Sequence, residues 1–428
     1  MNFLLRHIKN YEHVGSRMER NAHTNITLDK MAVAHRSVDN LSAPIYLDYQ
    51  ATTPVDPRVL DVMLPWFNKQ FGNVHSQHHH GWQADEAVEC ARAQTAAIIG
   101  AQSREIVITS GATESNNLAI KGVANAYRDK RNHIVTCVTE HKCVLESCLQ
   151  MERDGFDVTR LAVDSKGFID LDQLYDVVTD NTVLVSIMAV NNEIGVINPL
   201  REIGEICHAA GAFFHTDAAQ AVGKILLDVK AANIDLLSIS GHKIYGPKGV
   251  GALYVRRRPK VRLEAQMSGG GQERGLRSGT LPTSLCVGLG MACMIAGREM
   301  VSENQRIRML RDHLYQRLMS ELDNVMLNGD AERRIPGNLN LSFARIDGAA
   351  LLMGIPELSV STGSACTSGS LGPSYVLQAL GLDADSSDTA LRIGLGRFTT
   401  MDEVEYAADR LIAVVSEQRG KLFSPTLA

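Results

Sequence analysis

The stretch SISGHKIYGPKGVGALYV, residues 238–255, places two apolar runs on either side of a polar, glycine-containing turn. Short apolar runs bounded by turn residues predict two strands joined by a loop. Lys243 stands in that loop, just after the first run. It is either an ordinary solvated lysine or an amine used for chemistry, because burying its charge without a partner costs free energy.

Apolar runs of the same kind precede this stretch. They are EIVITS at 105–110, HIVTCVT at 133–139, TVLVSIMAV at 182–190 and AFFHTD at 212–217. Amphipathic helical segments separate most of them, and the runs show little internal alternation. This pattern predicts an α/β fold with a mostly parallel sheet that helices cover on both faces. Ligands of such sheets bind beyond the carboxyl ends of the strands.

The composition is that of an ordinary globular protein, with 45% apolar and 21% charged residues among 428. The formal net charge of −5 argues against nucleic-acid and membrane-surface binding. No apolar run predicts a membrane-spanning helix. The eight cysteines include no Cys-x-x-Cys pair, which favours a reducing compartment.

Changes in residue composition and pattern along the chain predict its domain organisation. Residues 1–43 form an N-terminal extension, either a targeting segment or a disordered tail. We expect a large domain at 58–300 and a smaller α+β domain built from 44–57 and 301–428, with a charged helix at about 302–322.

Polar residues stand where the predicted strands end. They are Gly111, Ala112 and Thr113, then His141, Asn192, Asp217 and Gln220, and finally Ser240, Gly241, His242 and Lys243. Taken singly, each is explained as well by a helix cap or a structural side chain. Taken together, they match pyridoxal phosphate (PLP), which needs a helix N-terminus for its phosphate, a carboxylate at its pyridine nitrogen and a lysine amine at its aldehyde. The chain has neither a dinucleotide fingerprint nor a P-loop.

Seven motifs resemble, in order, those of the class I cysteine desulfurases, which are PLP-dependent transferases of fold type I. The motifs are TSGATESNN, TEHK, VNNEIGV, HTDAAQAVGK, SGHKIYGPKG, GGGQERGLRSGT and STGSACTSGS. The resemblance runs from about residue 46 to about residue 406. It implies a large domain with a mostly parallel seven-stranded sheet, a smaller α+β domain and a homodimer.

The implied reaction converts L-cysteine to L-alanine and carries the sulfur as a persulfide on Cys366. The implied acceptor is an iron–sulfur scaffold protein, with tRNA thiolation as a further destination and a small accessory subunit as a further partner. The resemblance also leaves Cys366 open as a transient iron–sulfur ligand, and no other metal is expected.

The resemblance also assigns roles to single residues. Lys243 holds the cofactor covalently, Asp217 faces its pyridine nitrogen, and His141 stacks on its ring and shuttles protons. The other residues implied to contact the cofactor are Gln220 at the ring oxygen, Ala112, Thr113, Ser240, Gly241 and His242 at the phosphate, Asn192, and Thr280 at the phosphate of the neighbouring subunit. Asn192 and Arg392 are implied to bind the substrate carboxylate, which a guanidinium fork suits.

Cys366 lies in the polar run SVSTGSACTSGSLGPS, residues 359–374. A free thiol there is a liability unless it is used, and the glycines allow the loop to move. The residues themselves therefore also favour Cys366 as the nucleophile. Four histidines, at positions 75, 78, 79 and 80, suggest a metal site, but no nearby carboxylate or cysteine accompanies them, which favours a solvated active-site loop.

Alternative functions stay open: a selenocysteine lyase or another PLP enzyme of this fold, or a catalytically silent binding subunit. The sequences of the motifs HTDAAQAVGK and SGGGQERG, together with the N-terminal extension, favour a mitochondrion or an organelle derived from it. A bacterial cytoplasm is the alternative. The chain ends at GKLFSPTLA, where relatives carry a tryptophan-containing tail, so we expect weaker scaffold docking or docking through other surfaces.

Overall fold

A computed structural model describes residues 44–362 and 373–423. The N-terminal extension and Cys366, with its loop at 363–372, lie outside the described residues. Within the described part the helices are α1 Pro57–Met63, α2 Pro65–Asn68, α3 His79–Ala97, α4 Ala112–Tyr127, α5 Lys142–Arg153, α6 Leu171–Val177, α7 Leu200–Ala209, α8 Thr283–Glu321, α9 Gly348–Gly354, α10 Tyr375–Ala379, α11 Ala384–Asp388 and α12 Met401–Phe423.

The described residues also form thirteen strands. They are β1 Ile45–Tyr46, β2 Ile106–Thr109, β3 His133–Cys137, β4 Asp157–Leu161, β5 Thr182–Ser186, β6 Phe213–Asp217, β7 Leu236–Ser240, β8 Gly251–Val255, β9 Val325–Leu327, β10 Asn338–Phe343, β11 Leu358–Ser359, β12 Ser361–Thr362 and β13 Ala390–Gly394.

The larger sheet has seven strands in the order β2-β8-β7-β6-β5-β3-β4. All run parallel except β8, which is antiparallel to both of its neighbours. Ile134 and Val135 of β3 point into different apolar clusters on opposite faces of this sheet. Burial on both faces explains why the strands read as continuous apolar runs. The predicted α/β architecture with its mostly parallel seven-stranded sheet is confirmed.

The opening stretch forms β7, a short 3₁₀ turn at Gly241–Lys243 and then β8. Ser240 pairs with Gly251 across these two antiparallel strands. The carboxyl ends of β6 and β7 lie side by side, because Asp217 pairs in parallel with Ser238. Lys243 therefore follows the strand end next to Asp217.

A second, antiparallel sheet has four strands in the order β12-β13-β10-β9, and β1 pairs in parallel with β11. The charged helix expected at about 302–322 begins much earlier, at Thr283, and is 39 residues long. Its first half is apolar and buried, so the change of composition near residue 300 marks a change of surroundings, and the prediction of its start was wrong. The predicted domain boundary falls inside this helix, and the boundaries stay predictions.

By length and composition alone, α8 is the one helix in the described ranges that would fit across a membrane. In the protein, 56% of its apolar window is buried.

Candidate active site

The Lys243 side chain turns back against the segment after β1. Its Nζ donates to the backbone carbonyl oxygens of Gln50 at 2.7 Å and Ala51 at 2.6 Å. The neighbouring Gln220 side chain donates from Nε2 to the same Gln50 oxygen at 2.8 Å. Gln220 also accepts a hydrogen bond from Lys224 Nζ at 2.7 Å. Two lysines and Gln220 are therefore held together beyond the strand ends.

Burial, with a smaller contribution from the charge of Lys243, lowers the pKa of Lys224 to about 7. Sequence reasoning missed Lys224, although it stands in the motif HTDAAQAVGK, four residues after Gln220. The protonation of the Lys224 amine would therefore change when the charge of Lys243 changes.

Asp217 is the last residue of β6 and is 6% exposed. Its Oδ1 accepts from the backbone N–H of Ala219 at 2.9 Å, and its Oδ2 accepts from Asn116 Nδ2 at 2.7 Å. Asn116 lies on the buried face of α4 and was not predicted from the sequence. The amide orients the carboxylate, which leaves a buried anion available for a cationic partner.

His141 is the N-cap residue of α5, where its Nδ1 accepts the backbone N–H of Cys143 at 3.2 Å. The Cys143 thiol lies 3.0 Å from the same nitrogen. Burial lowers the pKa of His141; Asp217 acts against this and Lys243 reinforces it. The ring is accordingly kept neutral.

The N-terminus of α4 could hold an anion such as a phosphate. Gly111 caps this helix with φ 151°, and no described side chain caps it, so the amides that follow are not occupied by a side-chain oxygen. The Ser240 hydroxyl oxygen would lie 3.8 Å from a Cβ at Gly111. His242 Nδ1 lies 3.0 Å from Thr52 Oγ1, and burial lowers the pKa of His242 to about 4.

Arg392 is 1% exposed in the middle of β13. One terminal nitrogen donates to the backbone oxygen of Asn192 at 3.2 Å, and the other donates to Asp48 Oδ1 at 2.9 Å. Asp48 was not predicted, although an acid inside the apolar run YLDY is unusual. Arg392 and Asn192 are brought together, and Asp48 holds the arginine from the other side.

Thr280 is exposed and follows a loop that a buried ion pair anchors. Arg92 donates to both oxygens of Glu273, at 2.7 and 2.9 Å. Glu273 and Arg274 both have positive φ, at 50° and 59°. Arg277 then pairs with Glu114 of α4 at 2.7 Å. These contacts fix the route of the chain to Thr280 past the start of α4.

The four neighbouring histidines are exposed, and His78 caps α3 by accepting the backbone N–H of Gly81 at 3.3 Å. The predicted loop is therefore in part the first turn of a helix. Across residues 44–362 and 373–423, no cluster of three or more histidine, cysteine or acidic side chains is placed to hold a metal ion.

The described site residues fit PLP. Lys243, Asp217 and the uncapped start of α4 meet its three requirements at one edge of the sheet. Asn192 Oδ1 and Asn116 Oδ1 are also buried without a hydrogen-bond partner among the described residues. Buried polar atoms left this way are expected at a site that a polar group completes.

Comparisons with known proteins agree with this arrangement. The chain matches the aminotransferase class-V family over residues 45–407. It is 55% identical to the cysteine desulfurase IscS of Rickettsia africae over 89% of this chain and 93% of that one. It is 56% identical to a cysteine desulfurase of Mus musculus over 90% of this chain and 84% of that one. A solved NifS-like protein superposes with a TM-score of 0.82 at 35% identity, covering 87% of this chain and all of the other.

Proposed function

Because the chain belongs to the aminotransferase class-V family, we infer that it is a PLP-dependent cysteine desulfurase, which converts L-cysteine to L-alanine and passes on the sulfur for iron–sulfur cluster assembly. The observation that carries this function is the meeting of Lys243 and Asp217 at neighbouring strand ends, beside the uncapped N-terminus of α4. The Rickettsia africae and mouse relatives, which match 89% and 90% of this chain, are cysteine desulfurases.

When bound, PLP supplies an electron sink for the bonds at the substrate Cα. We propose that Lys243 attaches it, that Asp217 keeps its pyridine nitrogen protonated, and that Gln220 contacts the ring oxygen. Its phosphate would be held by the backbone and side chains of Ala112, Thr113, Ser240, Gly241 and His242. A neutral His242 can accept or donate a hydrogen bond there without adding charge.

Substrate binding is proposed for Arg392 and Asn192. A guanidinium fork recognises a carboxylate through two parallel hydrogen bonds. Asp48 and the Asn192 carbonyl hold Arg392 in one orientation. A fixed orientation matters because each misplaced polar contact loses affinity and rate.

Proton movement falls to two residues. The amine of Lys243, freed when substrate binds, takes the Cα proton at Nζ, and the positive charge of Lys243 lowers the pKa of the neighbouring Lys224. His141, held neutral, can give or take a proton at its ring. General acid–base assistance of this kind is worth roughly 10²–10⁴-fold in rate.

Sulfur transfer is proposed for Cys366. Its thiolate attacks the substrate sulfur, so that a sulfur–sulfur bond forms while the carbon–sulfur bond breaks and its electron pair stays with the substrate carbon. Protonation of that carbon and return of a proton to Cα then complete alanine, and the persulfide moves to an acceptor. An iron–sulfur scaffold protein is the proposed acceptor, and an accessory subunit is a further proposed partner.

A homodimer is also proposed, with Thr280 reaching the partner's phosphate site. Leu64, Phe67, Phe71 and Trp82 support it, because these large apolar side chains of one chain segment are 53–68% exposed, and grouped exposed apolar side chains mark interaction sites. Sedimentation of the wild type and of Trp82→Glu tests this. A monomeric wild type would contradict the dimer.

The cellular location is a proposal as well. We propose a mitochondrion or an organelle derived from it, with a bacterial cytoplasm as the alternative; the chain has similar relatives in a mouse and in a bacterium. Fluorescence microscopy of the tagged full chain in its own cells separates the two.

The function is tested with purified holoenzyme, L-cysteine and a reductant. Sulfide and alanine should appear in equal amounts, and the cofactor's visible absorption band should be present. Cys366→Ser should keep the band and release no sulfide, while Lys243→Ala should lose the band. The control is Cys90→Ser, which removes an exposed thiol from α3. Turnover at the wild-type rate in Cys366→Ser would contradict the nucleophile, and turnover of L-selenocysteine alone would favour a selenocysteine lyase.

A further inference from the structure

A chain of side-chain contacts joins the carboxylate of Asp217 to the ring of His141. Asn116 Nδ2 lies 2.7 Å from Asp217 Oδ2 and 3.1 Å from the sulfur of Cys143. That sulfur lies 3.0 Å from His141 Nδ1. Asn116 is fully buried, and Asp217 and Cys143 are largely or partly so. Neither Asn116 nor Cys143 is among the site residues predicted from the sequence.

The direction of each hydrogen bond follows from the chemistry of its groups. A carboxylate only accepts, so the Asn116 amide must turn its NH₂ group toward Asp217. The same NH₂ group donates its other hydrogen to the Cys143 sulfur. The Thr113 hydroxyl is a further donor to this sulfur. With the sulfur accepting from Asn116 and Thr113, its S–H is directed at His141 Nδ1.

A second donor meets the same ring nitrogen. The backbone N–H of Cys143 points at His141 Nδ1 from 3.2 Å, as the N-cap of α5. A nitrogen that accepts from two donors carries no proton of its own. Burial raises the pKa of the Cys143 thiol to about 12, so the S–H donor persists through the physiological range.

We propose that Asn116 and Cys143 fix His141 as the tautomer protonated on Nε2, which makes Cys143 a positioning residue for the proton that His141 exchanges. This rests on the role of His141 in the proposed function. The charged groups that act on the ring are Asp217, which favours an imidazolium, and Lys243, which opposes it. The two donors at Nδ1 add to the opposition, because an imidazolium would point a third hydrogen at them.

The test uses holoenzyme labelled with ¹⁵N in its histidine rings and studied by solid-state NMR. The His141 signals are assigned by their loss in His141→Asn. The wild type should show an unprotonated Nδ1 and a protonated Nε2. In Cys143→Ala the titration midpoint of His141 should rise by about 0.5 to 1 pH unit, the effect of one neutral hydrogen bond.

Two further variants make the test specific. Cys143→Ser supplies a hydroxyl donor in the same place and should restore the wild-type midpoint. Cys148→Ala removes a buried thiol from the same helix, within an apolar cluster, and should leave the His141 signals unchanged. A proton on Nδ1 in the wild type would overturn the proposal, as would a folded Cys143→Ala that titrates like the wild type. None of these NMR measurements requires turnover. The sulfide assay can therefore contradict the proposed function without contradicting the proposed tautomer of His141.

Discussion

The carboxylate of Asp48, near the start of the described chain, holds the guanidinium of Arg392 at 2.9 Å. Arg392 is 1% exposed, and the other oxygen of Asp48 accepts from the Ser361 hydroxyl at 2.7 Å. The arginine proposed to bind substrate is therefore already oriented by a partly buried ion pair. Removing one partner of such a pair leaves a charge without compensation.

Asp48→Ala should lower the free energy of unfolding by about 3 kcal/mol, because it removes the carboxylate that pairs with the buried Arg392 cation. Urea denaturation measures this. The matched control is Ser361→Ala, which removes only the hydroxyl donor to the same carboxylate and should cost about 1 kcal/mol. Equal losses in the two variants would show that the ion pair adds nothing.

Glu193 should make stability depend on pH. Burial raises its pKa to about 7 from 4.5, although the Ser374 hydroxyl, 2.5 Å away, and Arg392 both act to lower it. Between about pH 4.5 and 7 the unfolded chain has released this proton and the folded chain keeps it. The stability from this group is thus full below pH 4.5 and falls by about 3 kcal/mol as the pH rises to 7.

Glu193→Gln should remove this pH-dependent loss of stability. The unfolding free energy of the variant, relative to that of the wild type, should therefore be higher at pH 8 than at pH 5, as measured by urea denaturation at both pH values. Glu146→Gln, on the exposed side of α5, serves as the control and should keep the wild-type dependence. If the difference between Glu193→Gln and the wild type is the same at both values, the explanation is wrong.

The buried pair of Arg92 and Glu273 should be costly to break. Their side chains are 4% and 2% exposed, and Glu273 also accepts the backbone N–H of Ile108 at 2.6 Å. Glu273→Ala should lower the unfolding free energy by about 3–5 kcal/mol. Arg277→Ala, which breaks the more exposed pair with Glu114, should cost about 1 kcal/mol or less. A small loss in Glu273→Ala would mean that the loop before Thr280 is held by other contacts.

Gly111 should matter for cofactor affinity beyond its effect on stability. Its φ of 151° is strained for any residue with a Cβ, by about 1–3 kcal/mol, and it opens the helix start proposed for the phosphate. Gly111→Ala should therefore raise the dissociation constant of PLP at least tenfold, measured by equilibrium dialysis. Gly155→Ala carries similar backbone strain, at φ 95° with open space around it, far along the chain. It should lose stability and keep its affinity for PLP.

Much of the fold followed from local patterns. The apolar runs of β2, β3, β5, β6, β7 and β8 were recognisable because strands buried on both faces contain few polar residues. Helix α8 was misjudged at its start, since its apolar half packs against the large sheet's helices and its charged half does not. The residue composition of a helix depends on what each part of it packs against, and this one helix has two different environments along its length.

The sequence by itself determined the fold class, the family motifs and the residues at the strand ends. The apolar runs that form β-strands, and the turns that contain functional residues, are short segments that can be recognised locally. Only the tertiary structure decided which side chains support them. Asp48 meets Arg392 across 344 residues, Arg92 meets Glu273 across 181, and Asn116 meets Cys143 across 27. No local pattern encodes such pairs, since each depends on where separate elements pack, and hydrogen bonds act only within about 3 Å.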